Sequence, residues 1–185
     1  MSDVSSQLAN IQALLGAKIL QSMQAQGDDV VILERSGLRD SFQALRDQLK
    51  FDLLSDITAV DYWQKKTPRF EVVYQLVSLV SRRRLRLRVP VPEDDAAVDS
   101  LTPLWPGANF LEREVWDLFG VRFTDHPDLR RILLYDEFQG HPLRKDYPVN
   151  LCQPRVPERH VDGTFVDERS RNKLQRLQKS LSSKR

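Results

Sequence analysis

Between residues 84 and 91 the chain alternates: Leu85, Leu87, Val89 and Val91 take one set of positions, and Arg84, Arg86 and Arg88 take the other. A period of two is the pattern of a β-strand with one face in a core and one face in water. Its core face must be covered by something else, so this strand constrains the whole chain to a one-sided sheet backed by helices. Pro90 and Pro92 predict that the strand stops there or lies at a sheet edge, because proline cannot donate to a ladder. Arginines along residues 82–88 then read as an exposed strand face that discourages edge pairing, ahead of the alternative of a partner site.

The rest of the chain supplies candidate partners. Leu8, Ile11, Leu15, Ile19 and Met23 recur at spacings of three and four, which predicts a helix over residues 5–25. Val30 to Leu33 reads as a short buried strand, ended by Gly37. Residues 39–50 read as a helix with Phe42, Leu45 and Leu49 inward. Residues 53–62 and 70–80 read as strands around a polar turn with Lys65, Lys66 and Pro68, which is a hairpin. A short helix is predicted over 94–105, before Pro106. A stronger one covers 108–119, with Leu111, Val115, Leu118 and Phe119 inward. In it Arg113 and Asp117 stand four apart, at ion-pair spacing. Gly120 suits the left-handed residue that ends a helix.

After residue 120 the texture changes. From Asp125 to Pro157 there are five prolines and few apolar periods, so this stretch reads as an extended arm held against something else. Helical pattern returns over 167–182, with Leu174, Leu177 and Leu181 in line. The expected fold class is α+β, with helices packed on a small, largely antiparallel sheet, then an extended C-terminal arm and a short terminal helix. The expected division is a domain over 1–122, a partner-docking arm over 123–160 and a basic tail over 161–185.

Composition narrows the function classes. A net charge of +2 draws the chain as a whole to neither nucleic acid nor a membrane. The arginine-rich strand lacks the aromatics with which a sheet stacks RNA bases, so no nucleic-acid partner is expected. The one cysteine, Cys152, forms no internal disulfide, and a cluster or four-ligand metal site held by this chain alone is not expected. The longest strongly apolar stretch, 72–80, is about half of what a membrane span needs. The N-terminus lacks the layout of a signal peptide. The seven glycines make no phosphate or dinucleotide loop, and no nucleophile elbow occurs. His126, His141 and His160 are not at metal-ligand spacing. No catalytic, cofactor or metal residue is assigned.

Three blocks remain, dense in charge, proline and aromatics. Glu112-Arg113-Glu114-Val115-Trp116-Asp117-Leu118-Phe119-Gly120 closes the strong helix. His126-Pro127-Asp128-Leu129-Arg130-Arg131-Ile132-Leu133 follows, then His141-Pro142-Leu143-Arg144-Lys145-Asp146-Tyr147-Pro148. In order and spacing they resemble the family of the 30 kDa-type (C) subunit of respiratory complex I, the proton-pumping NADH:quinone oxidoreductase. The likeness is intense over about 35 residues and compatible with the elements of roughly residues 1–150. One departure is Asp125, where the family commonly has glycine before the first His-Pro pair.

The resemblance implies a non-redox docking subunit of the hydrophilic arm. It implies packing against the large quinone-site (D) subunit, near the small (B) subunit that holds the terminal cluster and other members of the hydrophilic arm. NADH, FMN, iron–sulfur clusters and quinone would belong to those other subunits. The place implied is the cytoplasmic face of the inner membrane, reached only through partners. The alternative is the equivalent subunit of a related membrane-bound hydrogenase, or of a ferredoxin- or deazaflavin-dependent quinone oxidoreductase. The expected interface residues are Glu112, Arg113, Glu114, Asp117, His126, Pro127, Asp128, Arg130, Arg131, His141, Pro142, Leu143, Arg144, Lys145, Asp146 and Tyr147. Their arginines could pair with partner carboxylates, with Arg144 directed outward. Taken without the resemblance, Glu112, Arg113, Glu114 and Asp117 read as a solvated helix face. The basic tail, with seven Lys or Arg against two acids over 167–185, reads as solvated too.

Overall fold

The computed structural model describes residues 2–154. Helix α1 spans Ser2–Leu15, and the hairpin β1 (Ile19–Ala25) and β2 (Asp28–Leu33) follows it. Helix α2 spans Leu38–Leu49. The meander β3 (Leu53–Asp61), β4 (Phe70–Ser78) and β5 (Arg83–Val91) comes next. The chain continues through β6 (Ala97–Asp99), α3 (Ala108–Phe119) and β7 (Arg122–Thr124).

The five-stranded sheet has the order β1-β2-β5-β4-β3, and its only parallel pair is β2 with β5. A separate parallel pair joins β6 to β7. The fold is therefore α+β and largely antiparallel, as the runs of consecutive strands predict. Leu85, Leu87, Val89 and Val91 are fully buried, in one cluster with Ile11, Phe42, Leu45, Tyr74, Val115 and Phe119 from the helices and β4. Phe42 anchors it edge-on to Tyr74, with ring centroids 4.8 Å apart.

Four expectations change. The first helix stops at Leu15, because Gly16 turns the backbone to φ 51. Residues 19–25 are instead a strand, fixed by the two-residue loop Gln26-Gly27, both at positive φ. Spacings of four at Ile19 and Met23 satisfy a helix and a strand equally, so periodicity alone could not separate them. No helix forms over 94–105, where Val98 pairs with Phe123 across the small sheet. Strand β5 stops at Val91, before Pro92, as the prolines predict, but it is not at an edge, since β2 and β4 flank it. Pro90 is accommodated because pairing with β2 ends at Arg88 and only β4 continues beside it.

The fourth change is the domain boundary. Residues 123–124 belong to β7, and one compact unit takes in residues 1–136 and 140–149. The segment after residue 124 is irregular in backbone, yet up to residue 149 most of it belongs to the same unit as the sheet. Among the described residues, 137–139 and 150–154 fall in the other unit, in which Gln139 and Gln153 exchange two hydrogen bonds. The helix expected over 167–182 and the basic tail lie outside the described residues.

Candidate docking site

The three motif blocks meet at the C-terminal end of α3. Gly120 ends the helix at φ 75, and a Cβ there would lie 2.5 Å from Arg144 Nη2 and 2.6 Å from the His141 ring. Glycine is required twice, for its backbone angle and for this close approach. Into the space it leaves, Arg144 donates from Nε to the Phe119 carbonyl at 2.5 Å. The Leu143 N–H donates to Leu118 O at 3.0 Å. The guanidinium thus caps the carbonyl end of the helix, where a cation is favoured, and lies 5.3 Å over the Phe70 ring. Arg144 is turned inward, contrary to the expectation that it faces a partner.

Asp117 is fully buried. Its Oδ1 accepts from Arg131 Nη1 at 2.6 Å. Its Oδ2 accepts from the backbone N–H groups of Ile132, Leu133 and Leu134 at 3.1, 3.0 and 2.9 Å. Burial alone would push this carboxyl up, but those amides and the guanidinium outweigh it and hold it below the usual range. Arg113 does not pair with Asp117. It donates to the carbonyls of Arg130 and Arg131 at 3.1 and 2.9 Å. A side chain four positions along the helix lost the carboxylate to one that also brings three backbone donors.

His141 Nδ1 donates to the Asp117 carbonyl at 2.9 Å, and burial pushes its pKa down. His126 Nδ1 accepts from the Asp128 N–H at 3.0 Å, so Nε2 carries the proton donated to Asn109 O. Glu112, also fully buried, accepts from Leu101 N at 2.6 Å and Ser100 Oγ at 2.7 Å. Burial raises its carboxyl to about 7. Glu112 and Asp117 are internal, so neither the interface nor the solvated-face reading holds for them. Hydropathy could not show this, because a buried acid and an exposed one are the same letter.

A second brace lay outside the expected residues. Arg69 is almost wholly buried and donates to Asp61 through Nε and Nη2 at 2.9 and 2.8 Å. It also reaches Glu93 at 2.5 Å and Asp146 at 2.6 Å. Asp61 accepts in addition from the Lys145 N–H at 2.8 Å. This ties the third motif block to the β3–β4 hairpin. The available signal was Arg69, a charge placed directly before the strand that Phe70 opens.

Glu114, Pro127, Asp128, Arg130, Leu143, Lys145 and Asp146 remain exposed, while Pro142 and Tyr147 are half-buried. Arg130 and Asp128 pair with each other in solvent at 2.9 Å. The large apolar side chains Phe110, Leu133, Tyr135, Leu143 and Val149 are also exposed along or beside this segment. Among the described residues no three His, Cys, Asp or Glu side chains are arranged to hold a metal ion. No helix among them is long and apolar enough to cross a membrane.

Residues 31–152 match the family described as "Respiratory-chain NADH dehydrogenase, 30 Kd subunit". The C subunit of NADH-quinone oxidoreductase from Trichlorobacter lovleyi is 46% identical over 149 residues, 80% of this chain and 92% of that protein. Its counterpart in Geobacter sulfurreducens is 44% identical over the same shares. Among solved structures, a trypsin-resistant fragment (1-134) of Nqo5 superposes with a TM-score of 0.59 at 36% identity, covering 68% of this chain and 98% of the fragment. A chain of an archaeal membrane-bound sulfane sulfur reductase shares the fold, with a TM-score of 0.71 at 21% identity over 80% of this chain and 88% of its own. The buried carboxylates of the first motif block, the glycine-capped helix end and these likenesses agree, and the chain belongs to the 30 kDa subunit family of respiratory-chain NADH dehydrogenases.

Proposed function

We propose that the chain is a docking subunit of the hydrophilic arm of a proton-translocating NADH:quinone oxidoreductase, and that it carries no redox centre. It packs against the quinone-site subunit, near the small subunit that holds the terminal cluster. Electrons pass through the NADH, FMN, iron–sulfur clusters and quinone of other subunits. It meets the cytoplasmic face of the inner membrane through those partners. The NADH-quinone oxidoreductase relatives at 40–46% identity do not favour the hydrogenase or ferredoxin alternative.

One observation carries the reading. The motif charges fasten residues 126–134 and 141–146 to the domain, and Leu133 and Leu143 stay 62% and 47% exposed on that braced backbone. Exposed apolar groups on a rigid support dock with little loss of entropy. The test is Leu133→Asp with Leu143→Asp. The yield of intact complex on native gels, and co-purification of the quinone-site and terminal-cluster subunits, should fall at least about tenfold, a loss of about 1.4 kcal/mol. The isolated chain should keep its thermal midpoint. Full yield from the double variant would overturn the proposal.

A further inference from the structure

The opposite end of the sheet carries a cluster that this docking reading does not use. Strand β4 runs nine residues from Phe70, under Arg144, to Ser78. At about 3.3 Å per residue, the β4–β5 turn lies about 25–30 Å from that contact. The turn exposes Leu79 by 64% and Val80 by 78%, Arg82 closes it, and Arg83 and Arg84 open β5. Turns ordinarily carry small polar residues. Arg82 also holds φ 55, a left-handed angle that glycine or asparagine would adopt more cheaply. Turn geometry accounts for neither the apolar pair nor the arginine.

Charge is concentrated here and poorly matched. Asp28 serves both Arg84, at 3.0 Å, and Arg86, at 3.6 Å. Asp29 is buried and accepts from Gln24. Arg82 and Arg83 make no ion pair among the described residues. Arginines 82–84 line a concavity of about 220 Å³ with Gly27, Asp28 and Asp29. Edge protection does not explain them, since β5 is flanked on both sides.

We infer that the β4–β5 turn is a second docking surface, fitted to an acidic segment of a partner protein that bears an apolar side chain among its carboxylates. Guanidiniums take carboxylates in paired hydrogen bonds, and Leu79 and Val80 give the apolar residue a seat. A second copy of this chain brings the same arginines. Residues 167–185, with seven Lys or Arg against two acids, carry the same sign. Neither complements the patch. A lipid headgroup layer meets Asp28 in the middle of it and gains nothing from arginines set around a concavity. The chain thereby bridges two neighbours from opposite ends of one sheet.

The test places a photoreactive amino acid at Val80 and, in a separate variant, at Ser81, within the intact membrane-bound complex. Irradiation should join each probe to an acidic peptide of another subunit. Arg82→Glu with Arg83→Glu should cut that cross-link at least about tenfold, while the purified full-length chain keeps its thermal midpoint. Cross-links to lipid alone, to a second copy, to a neutral or basic peptide or to nothing overturn the inference. So does a cross-link that charge reversal leaves unchanged. The probes sit far from Leu133 and Leu143, so this outcome is read independently of the docking test there.

Discussion

Asp117 and Arg131 form a buried ion pair at 2.6 Å, fourteen residues apart in sequence, and the same carboxylate gathers three consecutive backbone N–H groups. One side chain thus sets the path of the backbone after α3. A charge buried with this many donors is costly to remove, because each donor is left without a partner.

Asp117→Ala should therefore destabilise the isolated chain by about 3–5 kcal/mol, a fall of roughly 10 °C or more in thermal midpoint. Asp117→Asn, which still accepts from the amides but loses the charge, should cost less. Differential scanning calorimetry of both variants checks the order. Equal midpoints for Asp117→Ala and the parent would show that the brace contributes nothing.

Gly120→Ala should be more damaging than the usual glycine substitution near a helix end. The left-handed backbone alone costs roughly 1–2 kcal/mol. The added methyl also meets Arg144 and His141 at under 3 Å, so the cap on Phe119 O must move. Urea unfolding should show a loss above about 2 kcal/mol. Arg144→Ala should bring trypsin cleavage near residue 145 forward, since the segment loses its hold on the helix end.

Stability should depend on pH from both sides. The Glu112 carboxyl is raised from 4.5 to about 7 in the folded chain. Below pH 4.5 it is protonated folded and unfolded alike, and it costs nothing. Between 4.5 and 7 the unfolded chain releases its proton first, so stability falls as pH rises and levels off above 7, by about 3 kcal/mol in all. Asp61, Asp117 and Asp146 are held low, so their contribution is present above 3.8 and lost as pH falls. Glu112→Gln should flatten the decline between pH 4.5 and 7 and leave the acid limb unchanged. Thermal midpoints across pH 3 to 9 read both limbs, and an unchanged slope in Glu112→Gln would refute the assignment.

The elements that could be read from the sequence were those with one period and one punctuation mark. Helix α3 was bounded to the residue because Pro106-Gly107 precedes it and Gly120 follows. Strand β5 was plain because arginine and aliphatic residues take strict turns. The β1 strand was hidden because Ile19 and Met23 continued the helical spacing of α1, and only the loop Gln26-Gly27 revealed the reversal. The site was legible as motif blocks but not in its orientation. The letters of Glu112, Asp117, Arg131 and Arg144 fit an outward interface and an inward brace equally. Which one forms depends on Ser100, Leu101, Gly120 and the amides of 132–134, which no local pattern connects to them. Asp125 takes a left-handed backbone angle, φ 60, and pairs with Arg39 at 3.2 Å. Aspartate is among the non-glycine residues that best tolerate that angle.

Arg69 gives the sharpest separation between charge and geometry. Its planar guanidinium meets Asp61 with two parallel bonds and reaches Glu93 and Asp146 at the same time. Lysine carries the charge but not the fork, so Arg69→Lys should rescue little. Arg69→Met removes the cation and leaves Asp61, which is buried, with only the amides of Trp63 and Lys145. Breaking one side of a buried pair costs roughly 3–5 kcal/mol, and the loss should concentrate where Asp146 and Lys145 were held. Hydrogen exchange of the full chain should show faster exchange at the Lys145 amide in both variants, with the sheet amides of β4 and β5 little changed. A compensating Asp61→Asn in the Arg69→Met background should restore part of the loss, because it removes the stranded charge. If the double variant is less stable than Arg69→Met alone, the stranded carboxylate is not what destabilises the chain.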